Sequence, residues 1–383
     1  MAASGKSVVI IGPAHPLRGG LASYNERLAR QFQQEGHTVQ IFTFSLQYPG
    51  FLFPGTTQYS SEPAPDDLKI QVCINSVNPL NWLLIGNRLR KLRPDLIVVR
   101  YWLPFMGPCL GTLLRVVKRN NHTRVLCIAD NIIPHEKRPG DVPFTRYFVK
   151  PVDAFVTMSE KVLADLPPFT GSKPARFVAH PLYDNFGDIE SKEAARSRLG
   201  IDPGTPVLLF FGFIRKYKGL DLLLDAIAQL KDLKFQNRSV KFMIAGEFYE
   251  DRAPYEEQIR QLGIEAQLIL RTDFIPDSEV RHYLCAADGV IQPYRNATQS
   301  GVTPLAYHFE KPMIVTNVGG LPALVPHNRV GLICEPEAAS LAYSIREFYA
   351  TDPERFLPGL QEEKKKYQWN RMTAALFEMA NLA

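Results

Sequence analysis

The chain of 383 residues is 45% hydrophobic and 22% charged, a globular balance too long for one core and suited to two domains; no apolar run reaches the ~18 residues of a membrane span. Its five cysteines, Cys73, Cys109, Cys127, Cys285 and Cys334, are widely spaced, with no Cys-x2-Cys or His/Cys cluster to suggest zinc, and predict buried free thiols. Residues 1–182 carry 21 Lys+Arg against 12 Asp+Glu and residues 183–383 carry 23 against 27, so the basic first half suits nucleic acid, anionic lipid or a phosphate-bearing substrate, or is simply a solvated surface.

In chain order, MAASGKS runs directly into an apolar strand from Val8 to Gly12 with no signal-peptide core between them, and a cytoplasmic protein is expected. Apolar β-branched runs at 38–44, 70–74, 96–100, 125–129, 154–158 and 177–179 alternate with helical patterns, the signature of βαβ units on a parallel sheet. HPLRGGLASYNERLARQFQQEGH joins the first strand to its helix; Gly19 and Gly20 open that helix and Gly36 ends it. This is not G-x-G-x-x-G, so no dinucleotide cofactor is indicated. Paired glycines either admit a ligand to the helix start or form a bare turn. Residues 48–65, rich in Pro, Gly, Ser and aromatics, predict a loop beside a site. LPFMGPCLGTLLRVVK, 103–118, predicts a core-packed helix with a basic end. ADNIIPHEKRPGD then places His135 on a loop at the carboxyl edge of the sheet, where a histidine can donate to a substrate hydroxyl or exchange a proton.

A polar, Gly/Pro-punctuated connection sets a domain boundary near Tyr183, and a second alternating series follows, with strands at 207–211, 240–245, 266–270, 289–292, 313–316 and 331–334. After the first of these, GFIRKYKGLDLLLDAIAQL brings Arg215, Lys216 and Lys218 to a loop before a helix that begins near Gly219. Cations beside a helix start strengthen its affinity for phosphate, against the alternative of a solvated loop. Residues 293–320, PYRNATQSGVTPLAYHFEKPMIVTNVGG, read as strand exit, polar loop, helix and strand. Thr298, Gln299, Ser300 and Gly301 then lie at the carboxyl edge, with Ser300 as N-cap, Gly301 allowing close approach, and the amides from Ser300 to Val302 available to a diphosphate. LQEEKKKYQWNRMTAALFEM predicts one C-terminal helix whose Met372, Leu376 and Met379 need cover.

Taken together, the tandem doubly wound halves, the Gly19-Gly20 turn, PHE at 134–136, GFIRKYKG at 212–219, AGE at 245–247 and the 293–320 unit resemble a retaining glycosyltransferase of GT-B fold, most of all family four. The resemblance covers nearly the whole chain. It implies an α/β architecture of two tandem Rossmann-like, doubly wound parallel-sheet domains facing a cleft, with an acceptor domain at 1–182, a nucleotide-sugar domain at 183–360, and a helix at 361–383 packing back on the first domain. By position, Lys218 and Gly219 match the diphosphate-binding pair, His135 the histidine at the donor sugar, and Gly20 the turn near diphosphate and acceptor. Glu247 falls on a loop facing the nucleotide, and Phe274 and Ile275 fall where the base is flanked.

Two departures stand out. Phe213 occupies the place of the usual arginine, which leaves Arg215 to supply the charge, and the family's two glutamates fall at Ala297 and Leu305, which leaves Gln299 as the substitute. The implied reaction is glycosyl transfer from a nucleoside diphosphate sugar to a hydroxyl of a glycan, glycolipid or small molecule, with retained configuration. No Asp-x-Asp pair is present, so no metal cofactor is expected and protein cations carry the charge neutralisation. The implied partners are that donor, a glycan or lipid-linked acceptor and an anionic membrane surface, with the enzyme peripheral on its inner face; no nucleic acid is expected, since no helix-turn-helix, RNP or zinc pattern occurs. Two other readings stay open: a non-catalytic, glycosyltransferase-like partner subunit, and a sugar-nucleotide epimerase of GT-B fold.

Overall fold

The computed structural model describes residues 5–49, 57–134, 139–297 and 300–382. The chain divides into two compact units, one of residues 1–181 with 368–383 and the other of residues 182–367.

The first unit holds seven parallel strands: β1 (Ser7–Ile11), β2 (Thr38–Leu46), β3 (Ile70–Asn75), β4 (Leu96–Tyr101), β5 (Arg124–Ala129), β6 (Ala154–Thr157) and β7 (Ala175–Phe177). Their order is β3-β2-β1-β4-β5-β6-β7. β4, LIVVRY, is buried at every position because helices cover both faces of a central parallel strand, and such a strand shows a continuous apolar run instead of alternation.

Its helices are α1 (Gly20–Gln34), α2 (Pro79–Leu92), α3 (Gly107–Lys118), α4 (Asp141–Val149), and the short α5 (Glu160–Asp165) and α6 (Pro167–Thr170). α2 starts where Asn78 accepts hydrogen bonds from the amides of Leu80 and Asn81, with Pro79 supplying a preset first turn, and it stops at Arg93 in left-handed conformation. α2 packs on α3 and α3 on α4, so the three lie in a row on one face of the sheet, as right-handed crossovers in that strand order require. The core beneath them includes Leu89, Leu110, Leu113, Leu114 and Phe148, the last stacked on Tyr101 at 4.1 Å.

In the second unit α7 (Lys192–Leu199) precedes β8 (Val207–Phe211), followed by α8 (Leu220–Ala228), the hairpin β9 (Lys234–Phe235) and β10 (Arg238–Ser239), and β11 (Lys241–Ala245). Next come α9 (Ala253–Leu262), β12 (Leu268–Arg271), α10 (Val280–Ala286), β13 (Gly289–Gln292), α11 (Val302–His308), β14 (Met313–Thr316) and α12 (Leu321–Leu324). β15 (Gly331–Cys334), α13 (Ala338–Ala350) and α14 (Leu357–Glu363) complete the unit. The six long strands are parallel in the order β12-β11-β8-β13-β14-β15. Each sheet therefore reverses its direction of growth once, between β1 and β4 in the first and between β8 and β13 in the second. Loops part at such a switch point and leave a crevice at the carboxyl edge.

The single C-terminal helix expected from the sequence is interrupted. After α14 the chain passes through a short 3-10 turn, Lys364–Lys366, and an extended Gln368 before α15 (Trp369–Ala380) begins. Two aromatic anchors explain the break: Tyr367 packs on Tyr307 at 5.0 Å, and Trp369 on Tyr24 of α1 at 4.9 Å. α15 belongs to the first unit, where Met372 and Leu376 are fully buried and Met379 is half-buried. Among the described residues no helix is long and apolar enough to cross a membrane, and all five cysteines are free, four of them buried.

Candidate functional site

The second unit's switch point is built by the loops that leave β8, β11 and β13. The amide of Gly212 donates to Ala245 O at 2.9 Å and that of Ile214 to Glu247 O at 2.8 Å, which lace the first two loops together. Two glycines make this possible. A Cβ on Gly246 (φ 141°) would lie 2.2 Å from Gly212 O, and one on Gly219 (φ 68°) would lie 2.0 Å from Pro293 O, so only glycine lets these backbones touch. The second contact seats the start of α8 against the loop after β13, although β8 and β13 lie far apart in the chain.

Lys218 ends a 3-10 turn, Lys216–Lys218, just before α8. Lys216 is exposed, whereas Lys218 is 8% exposed, so the three clustered cations expected on one loop separate into one buried and two outer groups. The Lys218 ammonium sits over Gly212, where a Cβ would meet Nζ at 3.1 Å, and lies 5.7 Å from the centre of the Tyr294 ring. Among the described residues it has no ion-pair partner. Burial, and after it the charge of Arg215, pull its pKa down to about 7. A buried lysine without a counter-charge favours any anion that can reach it.

Arg215 is half-buried with its guanidinium 5.2 Å from the Tyr249 ring centre. Phe213 stacks on the same ring at 4.2 Å, so the residue that replaces the usual arginine forms an aromatic pair that also seats Arg215.

The loop after β13 reaches the same place. Val302 flanks Gly212 as well, since a Cβ on Gly212 would stand 3.7 Å from Val302 Cγ2. Ser300 is buried, and its Oγ lies 3.2 Å from the Tyr294 hydroxyl and accepts from the Val302 amide at 3.2 Å. This corrects two expectations: the N-cap of α11 is Gly301, in helical conformation, and the Val302 amide is engaged by the Ser300 side chain. Thr298 and Gln299 lie outside the described residues.

Lys218, Gly219, Ser300, Gly301 and Val302 are thus brought together around Gly212. Glu247 is buried beside Ile214, and Phe274 and Ile275 are half-buried on the loop after β12, at the same carboxyl edge. Ala297 and Leu305, at the glutamate positions of the resemblance, are 2% and 6% exposed and offer no polar group. Reading the sequence missed Tyr294, 2% exposed, whose ring faces Lys218 and whose hydroxyl meets Ser300. A tyrosine directly after a strand and its proline is the only local signal for it.

In the first unit Gly19 caps α1 with φ 100° and Gly20 is its first residue. His135 lies outside the described residues. The switch point between β1 and β4 instead shows a buried polar cluster that the sequence reading did not identify. Arg100 Nε and Nη2 each donate to Asp130 at 2.6 Å, and the guanidinium lies 3.9 Å over the Tyr24 ring. His180 meets the same ring edge-on at 5.1 Å. Burial, then repulsion by Arg100, pulls the His180 pKa to about 3 against the bond to Pro181 O, so its ring is neutral. The available signal was an arginine and an aspartate at the carboxyl ends of two otherwise apolar runs. Among the described residues no three His, Cys, Asp or Glu side chains gather as metal ligands.

Two family descriptions match the chain, Glycosyltransferase Family 4 over residues 18–181 and Glycosyl transferases group 1 over residues 205–351. It is similar to the D-inositol 3-phosphate glycosyltransferase of Pseudarthrobacter chlorophenolicus, at 30% identity over 357 residues that cover 84% of this chain and 80% of that protein. With the protein of the same name from Mycolicibacterium gilvum it shares 29% identity over 60% of this chain, and the match spans about half of that relative, 51%. Among solved structures it is similar in fold to HepE of Anabaena in complex with UDP-glucose, with a TM-score of 0.72 at 14% identity over 98% of this chain and 100% of that one.

Proposed function

Because this chain belongs to the group 1, family 4 glycosyl transferases, we propose that it moves a glycosyl group from a nucleoside diphosphate sugar to a hydroxyl of a glycan, glycolipid or small-molecule acceptor, with retained anomeric configuration. The observation that carries this reading is Lys218: a buried ammonium with no counter-charge among the described residues, at a helix start, on the switch point of a parallel sheet. A diphosphate supplies the missing charge. HepE, of the same fold, is described with UDP-glucose, which makes a uridine diphosphate sugar the first donor to try.

In this reading the second unit binds the donor. Lys218 and Arg215 hold the diphosphate with the amides of Ser300 and Gly301, Phe274 and Ile275 flank the base, and Glu247 and Gln299 face the ribose and sugar hydroxyls. The first unit binds the acceptor near Gly19 and Gly20, with His135 at the donor sugar. As the bond from the anomeric carbon to the phosphate oxygen breaks, negative charge grows on the diphosphate. Fixed cations and amides stabilise that charge by about 2.7 to 4 kcal/mol per well-placed donor, with no metal required. The acceptor oxygen bonds to the same face of the carbon, and its proton passes to the leaving phosphate oxygen. The basic first half meets an anionic partner, a membrane surface or a phosphate-bearing acceptor.

The test is thermal stabilisation by a panel of UDP-, GDP- and ADP-sugars. A donor at a hundred times its Kd adds roughly 2.7 kcal/mol, and Lys218→Ala should abolish that gain. Absence of stabilisation by every nucleotide sugar would sink the reading. A non-catalytic binding subunit is the second reading, favoured by the buried, apolar Ala297 and Leu305; donor hydrolysis or transfer excludes it.

A further inference from the structure

The exposed large hydrophobic side chains are unevenly placed. Four of the most exposed lie at the start of one helix: Leu80 is 72% exposed, Leu84 69%, Leu83 49%, and Val77, just before α2, 45%. The inner face of α2 is satisfied, with Ile85, Gly86 and Leu89 buried against α3, so these leucines face outward with nothing over them among the described residues. Along the same outer face the character changes from apolar to cationic, since Arg88 and Lys91 follow Leu80 and Leu84 at helical spacing and are exposed. From Lys69 to Pro94 the sequence holds five cations and no carboxylate. Beside the basic end, an open depression of about 370 Å³ is lined by Phe42, Lys69, Gln71, Arg88, Lys91 and Leu92, again without a carboxylate.

We propose that this face of α2, together with its depression, docks on an anionic lipid bilayer. The leucine end enters the boundary of headgroups and acyl chains while Lys69, Arg88 and Lys91 hold lipid phosphates. The dimensions agree: at 1.5 Å per residue, Leu84 and Arg88 are about 6 Å apart along the helix and Leu80 and Lys91 about 16 Å. A modest tilt therefore sinks the leucines by the roughly 5–10 Å typical of interfacial helices and leaves the cations at phosphate level. Helices of a doubly wound unit run against their strands, so the leucine end lies at the carboxyl edge of the sheet, the same edge as Gly19 and Gly20. Docking there would present that edge to the bilayer surface. Nucleic acid would meet the cations but leave the leucines unexplained. A two-fold dimer through the whole of this face would bring Arg88 and Lys91 of both copies together if the helices ran parallel, at an electrostatic cost, and would set the leucines against the cations if they ran antiparallel. The proposal names where the anionic surface meets the chain and does not depend on the donor chemistry.

The experiment is sedimentation of the full chain with vesicles of phosphatidylcholine containing increasing phosphatidylglycerol, for the wild type, Leu80→Ser/Leu84→Ser and Arg88→Gln/Lys91→Gln. The wild type should bind in proportion to phosphatidylglycerol and release as salt rises. Neutralising two cations should lower partitioning on the order of 30-fold, at about a fivefold loss for each, and remove most of the salt dependence. The serine pair should lower it at least tenfold while the salt dependence stays. Melting curves show whether each variant is folded, and the charge pair provides a second route if the serine pair is not. Failure of the wild type to pellet, equal pelleting with neutral vesicles, or folded variants that bind like the wild type would overturn the proposal. So would a dimer in light scattering that the serine pair dissolves, because the face would then serve self-association.

Discussion

Lys218→Met removes a buried charge that has no ion-pair partner among the described residues, and its consequences should run in opposite directions for stability and for binding. The ordinary lysine pKa of 10.5 falls to about 7 in the fold, burial being the larger cause. A lowered lysine pKa means that the unfolded chain holds the proton more tightly, so the penalty is fully present below pH 7, shrinks as pH rises, and is gone above 10.5. Its full size is on the order of 4–5 kcal/mol, at 1.36 kcal/mol per unit. The methionine variant should therefore be more stable than the wild type at pH 6 by a few kcal/mol, with the difference narrowing toward pH 9. Donor binding should behave conversely. If the diphosphate needs the protonated lysine, the wild-type Kd for UDP-glucose should rise about 25-fold between pH 6.5 and 8.5 as the free ammonium loses its proton around pH 7. The variant should bind weakly and without this slope. Calorimetry in buffers of different ionisation enthalpy should also show proton uptake on binding at pH 8. A wild-type Kd independent of pH, or a variant less stable than the wild type at pH 6, would refute the reasoning.

Arg100→Leu should cost about 3–5 kcal/mol, since it removes the guanidinium that donates twice to the buried Asp130 carboxylate; a melting temperature within a degree of the wild type would show that the pair contributes nothing to stability. His135→Ala should lower turnover by orders of magnitude with an unchanged melting curve, whereas loss of folding or full turnover would remove His135 from the site. If, as proposed, Lys218 and Arg215 supply the neutralising charge, activity should survive EDTA; loss of activity restored by magnesium or manganese would contradict that.

The order of strands and helices was legible because its signal is local: apolar β-branched runs for buried parallel strands, 3.6-residue patterns between them, and glycines where a helix starts. Lys218 and Gly219 were legible for the same reason, as cation and glycine between a strand and a helix. The break at Tyr367 and Gln368 was not, because the residues 360–379 keep helical composition throughout and the interruption comes from two aromatic anchors, Tyr307 and Tyr24, remote in the chain. Tyr294 gained a role only when Gly219 touched Pro293 O, and the Arg100–Asp130 pair only when β4 and β5 lay side by side. The leucines of α2 belong to the same class. Their periodicity announces a helix but does not say which of its apolar positions are covered, and α3 covers Ile85 and Leu89 while Leu80 and Leu84 remain outside. Local pattern thus sets what each segment becomes. Which segments meet depends on strand order, and strand order is decided by the burial of whole faces against partners distant in sequence.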